Sequence, residues 1–209
     1  MTPHEFESGV FVLPLVLFPH EPLTLRVFEP RYHQLIRDCD RSGSAFVVAD
    51  TLDSKVVMPS FEQRASYATL VRIVSSGLIP SGDRIVEVRG ADRVSIRSWL
   101  RDDPYPKALV VAAQDMDAPD EDRIVELESY IKHGIRLAIE MGAKVTIFDS
   151  KSLPLEPTER LWALCAHAPL MPEQRKRLLL EPFGSTRLEA LGEMIAEQVS
   201  FYERMLGIR

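Results

Sequence analysis

Residues 10–32 read Val10-Phe11-Val12-Leu13-Pro14-Leu15-Val16-Leu17-Phe18-Pro19-His20-Glu21-Pro22-Leu23-Thr24-Leu25-Arg26-Val27-Phe28-Glu29-Pro30-Arg31-Tyr32. Val10–Phe18 is apolar, β-branched and aromatic, which predicts a strand, and Leu23–Phe28 predicts a second. Pro30 suits a first helical position, where its missing N–H would be unpaired anyway. Tyr32, Leu35, Ile36 and Cys39 then recur at helical spacing, and Ser42-Gly43 closes the helix. Two strands followed by a short helix set the character of the chain up to residue 117.

Further strands are expected at Ala45–Ala49, Tyr67–Ser75, Ile85–Arg89, Arg93–Trp99 and Lys107–Ala113. Pro80-Ser81-Gly82-Asp83 reads as a hairpin turn, and Gly90 as a bend or bulge where a curved sheet turns a corner. Six or seven short strands with such bends read as a small barrel. From residue 118 the period changes. Ile124, Leu127, Ile131, Ile135, Ala138 and Met141 form one helical stripe behind the acidic start Asp120-Glu121-Asp122, with Gly142 as its stop. A second helix runs from near Pro157 through Ala168, and a short third from Pro172 to about Leu180. A last helix, capped by Thr186 with Glu189 and striped by Leu188, Leu191, Ile195, Val199, Tyr202 and Leu206, stops at Gly207. The expected architecture is α+β: a β-barrel over 1–117 with one inserted helix, followed by a helical bundle over 118–209.

The chain has 209 residues, 45% hydrophobic and 27% charged, enough to bury a core without covalent staples. Asp and Glu (31) outnumber Lys and Arg (25), for a formal net charge of −6, which argues against binding driven by phosphate neutralisation. Cys39 and Cys165 are too few for a disulfide framework and fit a reducing cytosol. The nine residues Val10–Phe18 are too short to span a bilayer, and with Glu5 and Glu7 ahead of them they lack the positive start of a signal peptide. A cytoplasmic protein without a membrane span is the expectation.

Side-chain chemistry singles out no active site. His4, His20, His33, His133 and His167 share no metal-ligand spacing. Asp115-Met116-Asp117 with Asp120 and Glu126 fails as a calcium loop, because Pro119 and Asp120 stand where a ligand and the turn glycine belong, and reads as an acidic linker. Ser129-Tyr130-Ile131-Lys132 has Ser-x-x-Lys spacing but none of the motifs that accompany it in acyl-transfer enzymes. Ser54-Lys55 and Ser150-Lys151-Ser152 have no orienting partner in view. No nucleophile elbow, Walker loop or dinucleotide fingerprint occurs. Catalytic residues, metal ligands and cofactor-binding residues are therefore all assigned as none, and no cofactor is expected.

The segment Phe11–Pro19 with Leu23–Tyr32 resembles the opening of the Lon protease N-terminal domain family: a Leu-Pro-Leu strand, a Leu-Phe-Pro turn, a second strand, then Phe-Glu-Pro-Arg-Tyr entering a helix. Ala68-Thr69-Leu70-Val71-Arg72-Ile73, Asp83-Arg84, Gly90-Ala91-Asp92-Arg93-Val94-Ser95-Ile96 and Tyr105-Pro106-Lys107-Ala108 are similar to later landmarks of that family, in the same order. The resemblance implies a PUA-like small β-barrel and a helical region. It implies no protease activity, since 209 residues leave no room for the ATPase and protease modules, and the chain looks like a stand-alone bacterial form. Its landmarks Glu29, Pro30, Arg31, Tyr32, Gly90 and Arg93 read as architectural. Glu29 is expected to accept from first-turn N–H groups and Tyr32 to pack beneath the helix. The expected function is a non-enzymatic polypeptide-binding or adaptor module for unfolded or tagged segments, with a protease or ATPase, or further copies of the chain, as possible partners. The alternatives are an RNA- or nucleotide-binding PUA-like domain, on fold analogy alone, and a small hydrolase. No peptide-binding residue is identifiable from sequence.

Overall fold

In the structure, a computed structural model describing residues 4–43, 45–50 and 66–208, the first unit, Met1–Gln114, carries every strand found among the described residues. They are β1 (Glu5–Leu13), β2 (Pro22–Val27), β3 (Phe46–Asp50), β4 (Tyr67–Leu78), β5 (Arg84–Trp99) and β6 (Lys107–Ala112). Helix α1 (Pro30–Ser42) lies between β2 and β3. The strand order is β2-β5-β4-β3-β1-β6, and β6 also pairs with β5, so the pairings β5-β4-β3-β1-β6-β5 form a closed cycle. All pairs are antiparallel except β1 with β3, whose parallel pairing (Val10 opposite Val47, Leu13 opposite Asp50) needs the long crossover that β2 and α1 supply.

Each face of the sheet carries an apolar cluster. One face gathers Phe11, Leu25, Phe46, Val48, Val71 and Val88 with Tyr32, Leu35, Ile36 and Cys39 of α1. The other gathers smaller residues, Val10, Val47, Ala49, Ala68, Val94, Ala108 and Val110. Adjacent residues of β1 and β3 thus serve opposite cores, which is why those strands read as unbroken apolar runs.

Three strand boundaries differ from the sequence reading. β1 starts at Glu5, because Glu5–Gly9 pair with Lys107–Val111, a partner remote in sequence. It ends at Leu13, and Val16–Phe18 are buried loop residues, not strand. The loop is tied down by its backbone. Thr69 Oγ1 donates to Leu17 O (2.6 Å), Phe18 N–H to Glu21 Oε2 (2.9 Å), and His20 N–H to Gly90 O (2.9 Å), while Gly90 N–H donates to Glu21 O (2.9 Å). Finally, Gly90 does not separate two strands. β5 is continuous, and a register shift leaves Ala91 without an opposite residue between the pairs Leu70–Asp92 and Val71–Gly90.

The second unit, Asp115–Arg209, is helical: α2 (Glu121–Glu140), a 3₁₀ turn (Ser150–Ser152), α3 (Pro157–His167), α4 (Pro172–Leu180) and α5 (Gly184–Met205). α2 packs on α5 and α3, and α4 on α5, burying the stripe of Ile124, Ile131, Ile135, Leu188, Leu191 and Ile195. Asp120 caps α2 by accepting from Arg123 N–H (3.1 Å). α5 begins at Gly184, so Thr186 lies inside the helix and is not its cap. Asp117 takes that role from outside the helix, its carboxylate accepting from Ser185 N–H (3.1 Å) and Ser185 Oγ–H. Those bonds hold the Asp117 carboxyl below its ordinary range, Ser185 being the cause.

Candidate functional site

The strand-to-helix corner Glu29–Tyr32 is a built structure. Glu29 makes no side-chain cap. Its carbonyl accepts from Tyr32 N–H (3.1 Å) and His33 N–H (3.0 Å), while its carboxylate accepts from Arg31 Nε (2.8 Å). The expected side-chain cap fails because the carboxylate is held by the neighbouring guanidinium, which lies 4.7 Å above the Tyr32 ring. Tyr32 is buried and stacked on Phe11 (3.9 Å between centroids, 15° between planes), and its hydroxyl oxygen accepts from Val12 N–H (3.4 Å). Pro30 stands at the start of α1. Gly90 and Arg93 belong to β5. Gly90 lies against the Phe18–Pro19 backbone, and Arg93 is buried, donating to Ala113 O (3.1 Å) and lying 5.4 Å from the Tyr67 ring. The landmarks therefore sit at two places, the α1 corner and the middle of β5, and do not converge on a cavity.

The groups singled out for chemistry are dispersed. Ser129 is exposed, whereas Lys132 turns inward to donate to Glu128 (3.0 Å) and Ser150 Oγ, with its ammonium 4.9 Å from the Phe148 ring. Glu128 also accepts from Arg160 (2.5 Å). Burial pushes the Glu128 carboxyl upward, but hydrogen bonds from Ser150, Arg160 and Lys132 prevail and bring it from 4.5 to about 2. A carboxylate that holds the lysine as an ion-pair partner makes this a structural charge cluster, without a free base for Ser150. His133 lies 3.7 Å from Glu203, and His167 stacks on Phe148 (4.6 Å) where burial lowers its affinity for protons. No group of three potential metal ligands occurs among the described residues. Ser54-Lys55 lies outside the described residues.

The acidic Asp115-Met116-Asp117 stretch belongs to α5. Asp117 caps it, and Asp115 pairs with Arg187, a guanidinium with no exposed surface. Arg187 donates to both Asp115 carboxylate oxygens (2.8 Å for Oδ1), to Leu178 O (3.1 Å) and to Glu181 O, and stacks 3.6 Å from the Trp162 ring. Sequence reasoning missed this hub, because an arginine on a helix otherwise reads as a solvated charge.

What the first unit offers to a ligand is contact surface at one end of its sheet. Phe28 (65% exposed), Val74 (65%) and Leu78 (69%) are large apolar side chains left in solvent. Val27, Arg84 and Leu78 lie side by side in register across β2, β5 and β4, so Phe28 and Leu78 share that end. β3 pairs with β4 only through Phe46–Val48 opposite Thr69–Val71, and beyond Val71 β4 has no second strand neighbour among the described residues. Just ahead of the start of β3, a cleft of about 580 Å³ opens, lined by Cys39, Asp40, Gly43, Ala45, Arg72 and Ile73. No helix among the described residues is long and apolar enough to cross a membrane.

Comparison with known proteins gives consistent matches. Residues 9–197 match the family model of the ATP-dependent protease La (LON) substrate-binding domain. A Lon protease of Cytophaga hutchinsonii is 25% identical over 119 residues, which are 56% of this chain but only 15% of that protein. The crystal structure of a Lon N-terminal domain protein from Xanthomonas campestris is 28% identical, with a TM-score of 0.62 covering 89% of this chain and 96% of that one. The N-terminal domain of a Mycobacterium avium complex Lon protease, 18% identical, shares the fold with a TM-score of 0.67 over 92% and 99% of the two chains.

Proposed function

The chain belongs to the LON substrate-binding domain family, and from that premise we propose that it is a non-enzymatic module that binds unfolded or tagged polypeptide segments, alone or as an adaptor for a protease or ATPase. The observation that carries this reading is the match over residues 9–197 together with a sheet end that leaves Phe28, Val74 and Leu78 in solvent. Apolar side chains kept exposed beside an open strand edge mark interaction surfaces in soluble domains. The closed strand cycle, with its small-residue core, supports a PUA-like barrel as the scaffold. The hydrogen bonding of Glu29, Arg31, Tyr32, Gly90 and Arg93 supports a purely architectural role for those landmarks. We place the module in the cytoplasm, in keeping with two buried, unpaired thiols.

The test is direct binding of a permanently unfolded protein, such as reduced and carboxymethylated lactalbumin, by surface plasmon resonance. Saturable micromolar binding is expected, weakened by Phe28→Ser and Leu78→Ser. These two positions are exposed and carry little of the core, so circular dichroism should be unchanged. Absence of saturable binding at high micromolar concentration overturns the reading.

A further inference from the structure

The geometry points to the free edge of β4, residues Ile73–Leu78, as the place where an extended polypeptide segment with alternating apolar and acidic side chains adds as a further strand. This rests on the polypeptide-binding reading and gives it a location and a substrate class.

Three observations converge on that edge. The first is the backbone. β4 runs on for seven residues beyond Val71, its last residue paired with β3, and those residues pair with β5 alone among the described residues. An unpaired strand edge is a row of donors and acceptors whose natural complement is another strand. The second is the irregularity at Val74. The register shifts between Ile73–Val88 and Ser75–Glu87, so Val74 is the extra residue of a bulge and stands in solvent. Leu78, four residues on, is exposed as well. A strand laid along this edge would cover both.

The third is charge. Arg72 and Arg89 are directly opposite one another on β4 and β5, both exposed, and neither side chain has a hydrogen bond or ion pair to any described residue. Like charges in that position repel and are destabilising, so an unpartnered pair is a standing site for an anionic group. Neither acidic neighbour forms an ion pair with Arg72 or Arg89. Asp40, in the adjoining cleft, pairs with Arg84 (3.1 Å), and Glu87, two residues from Arg89, accepts from Ser75 Oγ (2.9 Å). The cleft at the start of the free edge therefore presents Arg72 without a counter-ion, although the whole chain carries −6. An acidic side chain of the added strand near Arg72 and Arg89, with apolar ones against Val74 and Leu78, satisfies all three features.

The experiment uses the full chain and a fluorescent dodecapeptide of alternating valine and glutamate, read by anisotropy. Three control probes accompany it: the valine–lysine peptide, a valine–glutamate peptide N-methylated at every second residue, and a single-stranded RNA dodecamer. The valine–glutamate peptide should bind and each control peptide should bind more weakly. Arg72→Glu combined with Arg89→Glu should weaken it by about fivefold or more, the scale of two exposed ion pairs, and raising salt should do likewise. Val74→Ser, which removes the apolar contact without adding charge, should weaken it too. Hydrogen exchange with bound peptide should slow at Ile73–Leu78. Equal binding of the N-methylated peptide, protection elsewhere, or RNA binding that the charge reversal abolishes in place of peptide binding each overturns the proposal. If the carboxymethylated protein binds but the valine–glutamate peptide does not, this inference fails alone. If neither binds, the polypeptide-binding reading fails with it.

Discussion

Replacing Gly90 with alanine should cost this protein more than almost any other one-methyl change. A Cβ built at Gly90 lies 2.1 Å from Phe18 O, 3.0 Å from Phe18 C and 3.1 Å from Pro19 Cα. All three are backbone atoms, so no side-chain rotation relieves the overlap, and the Phe18–Pro19 segment must retreat by about 1 Å. That retreat breaks two backbone hydrogen bonds, His20 N–H to Gly90 O and Gly90 N–H to Glu21 O, each 2.9 Å. At about 1 kcal/mol each they account for about 2 kcal/mol. Loosened packing of Phe18, which has no exposed surface, adds about 1–3 kcal/mol. The total is about 3–5 kcal/mol. The internal control is Gly77→Ala in the same hairpin. No atom lies within 4 Å of a Cβ there, and restricting the unfolded chain should leave stability unchanged or raised by up to about 1 kcal/mol. Urea unfolding, followed by circular dichroism and by the fluorescence of Trp99 and Trp162, one in each unit, measures both. A Gly90→Ala protein within about 1 kcal/mol of the parent, or equal losses at the two glycines, would refute the claim that backbone approach makes this position a glycine.

Arg187→Met should destabilise the helical unit by about 3–5 kcal/mol, because it leaves Asp115 buried without its partner. In thermal unfolding, a loss below about 1 kcal/mol would contradict a central role for the pair. The Glu128 carboxyl is depressed when folded, so its contribution is complete above its ordinary 4.5 and disappears as pH falls towards about 2. Acid unfolding of Glu128→Gln should therefore be less steep across that window, and an unaltered slope counts against the cluster. Burial pushes the Cys39 thiol up to about 11 and that of Cys165 to about 12, so neither should react with a disulfide reagent at pH 8 until the chain unfolds. Prompt labelling of either in native buffer would show that the thiol is not shielded.

Much of this architecture was legible where local chemistry decides it. Pro30, Pro157 and Pro172 mark helix starts as proline at a first helical position should, and the Pro80–Asp83 turn joins β4 to β5 with Gly82 at φ 88°. What stayed hidden depends on partners far along the chain. Glu5–Gly9 has no apolar alternation and is a strand because β6 receives it. Val16–Phe18 has the composition of a strand yet is held as a loop by Thr69, Glu21 and Gly90. Thr186 has the spacing of a cap, but Asp117 supplies the cap first, two residues into a chain segment that reads as a linker. The β4 edge was invisible for the same reason. Val74 and Leu78 are apolar like core residues, and they lie uncovered because β3 begins only at Phe46, opposite Val71.

The carboxylates that seal α5 have a consequence for how the protein is made. Asp115 and Asp117 precede every helix of their unit, whereas Ser185 and Arg187 open its last one, 68 and 72 positions away. A ribosome releases the acidic end long before the groups that neutralise it, so no partial chain ending before residue 187 can close this assembly. The part of α2's apolar stripe that packs on α5 must wait in the open until α5 arrives. Synthesis of this half of the molecule thus ends in a single late closure, and any truncation within α4 discards the clasp together with the cover.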